Sequence, residues 1–294
     1  MTERHIDLIL GSLLHDIGKV IYRTGSRENH SESGYPYLRE ETGIGRAQRG
    51  KEILDCVRYH HAKPLRAASV PEDSLAYITY IADNIASAAD RRASDEPEPG
   101  FETRVPLESI FNHLNGDGPK HYYSPGMLDE KYPEGINYPS VEKKVFTESQ
   151  YSAVKKKITQ ALDGMKWDEE YLDSLLEILE ATLTYIPSST SKQETADISL
   201  YDHMKITAAL AGCIYLYLES RGEKDYRKAL LLGAEDFYKE EAFLLYSVDL
   251  SGIQNFIYTV NGQDALRMLR ARSFYLEVFM ENLIDEILCE AGVS

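Results

Sequence analysis

Cysteine is scarce in this sequence, which has three in 294 residues and no CxxC pair. Cys56, Cys213 and Cys289 lie far apart, each in an apolar stretch, so no disulfide framework is expected. Free buried thiols of this kind are typical of proteins in a reducing compartment, because disulfides persist only where the surroundings are oxidising. A cytoplasmic location is therefore expected.

Long apolar runs are also absent. No segment approaches the roughly 18 uninterrupted apolar residues that predict a transmembrane helix. The first residues, MTERHIDLI, contain acidic side chains and no small-residue cleavage site, so they do not predict a signal peptide. The sequence therefore predicts no contact with a membrane.

Positive charge is in short supply, and the net charge of −16 argues against broad, non-specific affinity for nucleic acid. A local basic group remains compatible with this balance. Arg267, Arg270 and Arg272 form the cluster that we favour as a nucleic-acid contact, because arginine is well suited to clamp phosphates. A solvated helix face is the alternative reading of such a cluster.

What the sequence does contain is an adjacent imidazole and carboxylate, His15 and Asp16, in the run GSLLHDIGKVIY. Apolar residues recur around the pair at helical spacing, which predicts a helix over residues 4–24. Lys19 follows on the same helix face. Burial of both polar groups without partners would be costly, so a shared divalent cation is the favoured interpretation.

Further histidine and aspartate side chains follow within the next seventy positions. His30 is expected in a polar loop. The pair His60-His61 is expected at the end of a helix over 47–62 that Pro64 stops. Asp83 is expected in an apolar helix over 72–92.

This series resembles the HD phosphohydrolase superfamily, in which a helical bundle holds one or two metal ions. The histidine that usually precedes the HD pair is missing, and a candidate lies far downstream instead, at His203 in DISLYDHMKITAALAG. The resemblance therefore implies a circularly permuted HD domain. Helices are expected over 145–163, 167–185 and 199–220, with Asp202 as a cap or a partner of His203 rather than a ligand.

The permuted pattern is in turn similar to the large signature subunit of type III-A (Csm-type) CRISPR interference complexes. The segments that carry this resemblance are LLHDIGKVIYR, YHHAKP, AYITYIADNIASAADRR, YIPSST, DISLYDH, YSVDLSGIQNFIYT and LRARSFYLE. It implies a mainly α fold, in which a permuted HD bundle is followed by the first strand and helix of a ferredoxin-like palm domain, expected at 242–249 and 263–289.

The same resemblance implies a domain order. The expected parts are a first HD portion at 1–93, an irregular insertion at 94–144, a helical part completing the HD domain at 145–235, and the start of a palm domain at 240–294. The sequence has neither the GGDD motif nor the zinc-binding module of full-length relatives, so it is interpreted as an N-terminal fragment. Cyclic oligoadenylate synthesis, with its ATP binding, is expected of full-length members and not of this fragment.

For the site, the resemblance implies one metal ion held by His15, Asp16, Asp83 and His203. His30, His60 and His61 would complete a second ion, and Lys19 would steady the scissile phosphate. Asp16 is the best candidate to bridge the two ions, because a carboxylate has two oxygens. Mixed histidine and carboxylate ligands favour a transition metal, with Mn, Ni or Co preferred.

The function that this resemblance implies is metal-dependent cleavage of single-stranded DNA within an RNA-guided effector complex, with guide RNA and sister subunits as partners. Two alternatives remain open. One is a scaffold subunit with little activity of its own. The other is a free HD phosphohydrolase acting on nucleotides, against which stands the lack of a GYP signature after the His60-His61 pair.

Overall fold

The computed structural model describes residues 1–25, 30–94, 97–128, 137–259 and 264–292. The fold is mainly α, as expected, and among the described residues β-pairing is confined to isolated bridges. The chain divides into two units, Thr2–Ala242 and Phe243–Ser294. None of the described helices combines the length and the apolar character that crossing a bilayer requires.

Ten α-helices are found in the described part of the first unit. They are α1 Glu3–Leu14, α2 Gly18–Tyr22, α3 His30–Glu41, α4 Gly50–Tyr59, α5 Ala62–Ala67, α6 Ala76–Asp90, α7 Glu148–Leu162, α8 Leu172–Leu183, α9 Leu200–Ser220 and α10 Ala234–Phe237. A π-helical turn, Arg227–Leu232, precedes α10.

The long helix α9 is central to this unit, because it packs against both α1 and α6 although more than a hundred residues separate it from them. One apolar cluster joins α1 to α4 with α7 to α9, and Leu13, Leu179 and Met204 are fully buried in it. A second cluster joins α6 and α9 to the turn before α10, through residues such as Ile81 and Ile214. Together these clusters hold α1, α4, α6 and α9 side by side.

The helix expected over 4–24 is interrupted at the HD pair. Residues 15–17 keep right-handed helical angles at His15 and Ile17, but the backbone tightens into i to i−3 hydrogen bonds, such as Lys19 N to Asp16 O at 2.9 Å. The sequence pattern could not show this, because a tightened turn preserves the apolar spacing on either side. The pair therefore lies at a corner between α1 and α2 rather than inside one helix.

Two expectations about neighbouring helices were wrong. His30 is the first residue of α3, not part of a loop. The helix over 47–62 ends at Tyr59, and Pro64 lies inside α5 instead of stopping its predecessor. Pro64 is the third residue of α5, where a missing N–H costs nothing because the first turn has no internal acceptors for it.

The expected irregular segment at 94–144 has a short 3₁₀ turn, Ile110–Leu114, and joins the loop before α9 through bridges such as Phe101 to Ser191. Positions 95–96 and 129–136 of this segment lie outside the described residues.

The second unit contains α11 Ile253–Tyr258 and α12 Ala265–Glu290. The expected strand at 242–249 is not formed: these residues have no regular structure, because no neighbouring strand pairs with them within the described part of the unit. The helix expected over 263–289 is α12, and position 263 lies outside the described residues. None of the described side chains of α12 is buried, and Phe274 is 67% exposed.

Candidate metal centre

The corner between α1 and α2 presents the HD pair to the interior of the first unit. His15 is 0% exposed and Asp16 is 2% exposed, so both polar side chains are withdrawn from solvent. The ammonium group of Lys19 lies 2.5 Å from Asp16 Oδ2. This ion pair compensates part of the cost of burying the Asp16 carboxylate.

The close approach of α2 and α3 brings His30 next to the HD pair. A Cβ atom on Gly18 would lie 1.8 Å from the carbonyl oxygen of His30, and a Cβ atom on Gly34 would lie 3.1 Å from the Cα atom of Gly18. Only glycine permits this backbone contact. As a result His30 Nε2 lies 3.5 Å from Asp16 Oδ1.

The junction of α4 and α5 supplies the two consecutive histidines. His60 is the C-cap of α4 and His61 is the N-cap residue of α5, so the backbone turns between them. His60 Nε2 lies 3.7 Å from Asp16 Oδ1, and His61 Nε2 lies 2.6 Å from His30 Nε2. The turn thus directs the His60 imidazole towards Asp16 and the His61 imidazole towards His30. His61 Nδ1 also lies 3.9 Å from Asp83 Oδ2.

Helices α6 and α9 supply the last two groups. His203, in the first turn of α9, places Nε2 3.2 Å from Asp83 Oδ1 and 3.3 Å from Asp16 Oδ2. The rings of His15 and His203 are 5.3 Å apart between centroids. The histidine from the far end of the unit therefore lies beside the HD pair, as the permuted arrangement requires.

These side chains form two groups of potential ligands, each with its ligand atoms within 4.8 Å of one another. The first group is His15, Asp83 and His203, and the second is His30, His60 and His61. Asp16 lies between them, with Oδ2 towards the first group and Oδ1 towards the second. One carboxylate in this position can bridge two cations.

Hydrogen bonds to the Nδ1 atoms orient three of the histidines. His15 Nδ1 bonds to the carbonyl of Ser12 at 2.7 Å, and His60 Nδ1 bonds to the carbonyl of Val57 at 2.7 Å. His203 Nδ1 lies 2.9 Å from a carboxylate oxygen of Asp90. Partners of this type fix which nitrogen remains available, and metal-ligating histidines usually have them.

The Nε2 atoms of the same three histidines are available to bind a metal ion. Nε2 of His15, of His60 and of His203 is buried without a hydrogen-bond partner among the described residues, as is Asp16 Oδ1. Buried polar atoms without partners are costly, and several of them converging on one point are expected where an ion belongs. The donor set of imidazoles and carboxylates suits a divalent transition metal.

The electrostatics of the first group are those of paired opposite charges. Burial would lower the pKa of His15, but Asp16 and Asp83 raise it to about 9. For His203, the same two carboxylates and Asp90 outweigh burial and raise the pKa to about 10. Burial would raise the pKa of the Asp16 carboxyl, but Lys19 and His15 hold it well below its usual range. A cation that binds here must therefore displace protons.

The second group is electrostatically different. Burial lowers the pKa of His30 to about 4, and burial also holds the pKa of His60 well below its ordinary value. The pKa of His61 is lowered too, again chiefly by burial. The lowered pKa values favour neutral imidazoles at pH 7, and the neutral imidazole is the state that ligates a metal.

Asp90 is a functional candidate that the sequence reasoning missed. It lies seven residues, or two helical turns, after Asp83 on α6 and faces His203. The seven-residue spacing, which puts Asp90 on the same helix face as Asp83, was the sequence signal that could have identified it. Asp202, by contrast, bonds to the N-cap residue of α9: its carboxylate accepts from the Ser199 hydroxyl at 2.8 Å, so it serves the helix start rather than the centre.

We expect Asp90→Ala to weaken metal binding by about 10- to 100-fold, because loss of the partner on Nδ1 frees the His203 ring to rotate. Asp90→Asn keeps an oxygen acceptor and should give a smaller loss. Titration with Mn²⁺, followed by competition with a chelator, measures both affinities. Equal affinity of parent and Asp90→Ala would show that Asp90 does not position His203.

The three arginines predicted to contact nucleic acid lie on α12, in the second unit. Arg267 and Arg270 are exposed. Arg272 is half-buried and donates to the carbonyl of Phe256, as well as to that of Thr259 at 2.9 Å. Its guanidinium therefore stabilises the contact between α11 and α12, and the nucleic-acid role of the cluster stays a prediction.

Two of the three remaining histidines, His5 and His113, have partners outside the candidate centre. The ring of His5 stacks on Tyr215 at 5.0 Å between centroids. His113 Nε2 lies 2.7 Å from a carboxylate oxygen of Asp197.

Two family models match the chain. The HD domain matches residues 2–88, which include every candidate ligand except His203. The Csm1 subunit domain B matches residues 242–294, which include the whole of Phe243–Ser294.

Relatives of the whole chain carry the name CRISPR system single-strand-specific deoxyribonuclease Cas10/Csm1 (subtype III-A). The protein of Enterococcus italicus is 43% identical over 99% of this chain, and that of Mycobacterium tuberculosis is 40% identical over 100% of it. The chain spans about two fifths of their length, with 40% and 39% of each protein covered.

Solved structures of Csm1 proteins have a similar fold. The crystal structure of a Csm1-Csm4 subcomplex of the type III-A CRISPR-Csm interference complex matches with a TM-score of 0.66 and 26% identity, over 100% of this chain and 37% of that one. The sequence similarity, the two matching domains and the shared fold thus agree with the arrangement of the metal-ligand groups. The chain is therefore similar, over nearly its full length, to about two fifths of the Cas10/Csm1 (subtype III-A) proteins that it matches, and it contains regions that match the HD domain and the Csm1 subunit domain B.

Proposed function

We propose that this chain carries a two-metal nuclease centre that cleaves single-stranded DNA as part of a type III CRISPR RNA-guided effector complex. The observation that carries the proposal is the buried Asp16 carboxylate, which faces one group of ligands with each oxygen. The relatives named as single-strand-specific deoxyribonucleases supply the substrate class.

In this proposal each protein group has one task. His15, Asp83 and His203 would hold the first ion, and His30, His60 and His61 would hold the second. Asp16 would be shared between them. Bound metals supply charge neutralisation on the phosphate and a coordinated water that ionises near neutral pH. Lys19, whose side chain is 16% exposed beside Asp16, is positioned to donate to a phosphate oxygen next to the centre.

The identity of the metal follows from the donors. Imidazole and carboxylate together suit first-row transition metals, whereas Mg²⁺ and Ca²⁺ prefer shells made only of oxygen. We therefore propose Mn²⁺, Ni²⁺ or Co²⁺ as the working ions.

A scaffold role with little activity is the main competing function. It would leave unexplained why several buried polar atoms converge without hydrogen-bond partners among the described residues, since such an arrangement destabilises the fold unless a ligand uses it. Guide RNA and sister subunits remain proposed partners in either case, and similarity to a Csm1-Csm4 subcomplex supports the assembly.

The proposal is tested with the purified chain, Mn²⁺, and a labelled oligonucleotide in single-stranded and duplex form. We expect cleavage of the single strand, little cleavage of the duplex, and complete loss with a chelator. Failure to cleave the single strand in a metal-loaded protein would favour the scaffold. Hydrolysis of mononucleotides instead would favour a free HD phosphohydrolase.

A further inference from the structure

A cleft of about 950 Å³ opens beside the second ligand group. His30 and His61 form part of its wall, and Tyr35, Tyr59 and Lys63 also line it. The volume lies within the range of about 300–1,000 Å³ that is typical of ligand-binding clefts. A molecule bound in this cleft would therefore lie directly against the candidate metal centre.

The cleft has a preformed stack of aromatic and cationic side chains. The guanidinium carbon of Arg58 lies 4.6 Å from the ring centroid of Tyr35 and 5.3 Å from that of Tyr59. Tyr35 comes from α3 and the other two from the last turn of α4, so two packed helices hold the stack. Arg58 is exposed while both rings are half-buried, which leaves the cation accessible from the cleft.

The charge of the cleft differs from that of the whole chain. Arg58 and Lys63 are exposed cations on its wall, in a protein with a net charge of −16. Glu32 also lines the cleft, and Asp55 on α4 lies near enough to Arg58 for the two charges to interact. Arg58 and Lys63 can therefore contact the phosphates of an anionic ligand in this cleft, although Glu32 and Asp55 offset part of their charge.

Aromatic faces, an arginine plane and a cationic wall form the combination that binds single-stranded nucleic acid. Bases that are not paired stack on tyrosine rings and on guanidinium planes, and the backbone phosphates contact the cations. A duplex offers no free base faces at this position. Stacking in the cleft is therefore expected to favour a single strand over a duplex.

We propose that Tyr35, Arg58 and Tyr59 form the binding subsite for a nucleotide next to the scissile phosphate of a single DNA strand, with Lys63 contacting the backbone. This inference rests on the proposed function, because it assigns the substrate strand to the metal centre beside the cleft. It adds to that function a physical reason why a single strand would be preferred over a duplex.

The test measures binding separately from cleavage, using fluorescence anisotropy of a labelled decathymidylate with the 294-residue chain in a chelating buffer. We expect Arg58→Ala and Tyr35→Leu each to weaken binding at least about fivefold, the lower end of the effect of losing one stacked base. Tyr35→Leu retains an apolar side chain of moderate size, which preserves packing. An oligomer of abasic residues should bind weakly to the parent and be insensitive to both variants.

Arg46→Ala is the matched control, since it removes the same charge from an exposed residue before the start of α4, at the other end from Arg58. It should bind the decathymidylate within twofold of the parent. Parent-like binding by Arg58→Ala and Tyr35→Leu, or no binding by the parent, would overturn the subsite. If the expected binding pattern holds but metal-loaded parent cleaves nothing, the subsite stands and the nuclease function fails.

Discussion

Asp16→Asn is expected to abolish cleavage of single-stranded DNA, with a loss of at least about 10³-fold. Metal ions contribute several kcal/mol of charge stabilisation to the transition state, and about 4 kcal/mol corresponds to that factor. The asparagine side chain has nearly the same volume but only one oxygen and no charge. It cannot bridge the two ligand groups that Asp16 faces at 3.3 Å and 3.5 Å.

Three measurements check this expectation: the cleavage rate with Mn²⁺, the metal content by elemental analysis, and helicity by circular dichroism. Metal content should fall while helicity is unchanged, because Asp16 lies in a turn rather than in a helix. Asp202→Asn is the control, since it alters a carboxylate adjacent to His203 that bonds to Ser199. Parent-like cleavage by Asp16→Asn would refute the site assignment.

Gly18→Ala is expected to cost more than the about 1–3 kcal/mol typical of overpacking. The new methyl group would meet a backbone carbonyl, that of His30, which cannot rotate away as a side chain can. Helices α2 and α3 must separate, so His30 moves away from Asp16. Both the free energy of unfolding and the occupancy of the second ligand group should fall.

Urea unfolding and metal analysis of the same preparation measure the two effects. Gly126→Ala is the matched control, because a Cβ atom there meets nothing within 4 Å. An unfolding midpoint and metal content of Gly18→Ala equal to those of the parent would mean that α2 and α3 do not approach as closely as described.

Much of the helical bundle was predictable because its signals are local. Apolar residues recur at helical spacing in α6 and α9, and Ser199 caps α9 where the sequence changes from loop to helix. The expected strand at 242–249 failed for a non-local reason. An apolar run becomes a strand only when another strand satisfies its backbone, and the described part of the second unit supplies none.

The candidate ligands were predictable from residue type and order, but their arrangement was not. Periodicity does not reveal that Gly18 allows a backbone contact with His30, because that depends on the packing of α2 against α3. The role of Asp90 was hidden for a similar reason, since its partner His203 is 113 positions away. Asp83 and Asp90 are both aspartates of α6, and only the position of α9 shows that Asp83 faces the candidate ligands whereas Asp90 bonds to Nδ1 of His203.

The position of α9 also has a consequence for the order of events during synthesis. The side chains of α1 to α6 emerge from the ribosome long before His203, which follows Asp90 by 113 residues. At about 5–20 residues per second, this delay is roughly 6–23 s. Until α9 inserts between α1 and α6, the nascent chain exposes their apolar faces and lacks the last ligand. Cotranslational folding of this unit should therefore finish late, and metal capture should mark its completion.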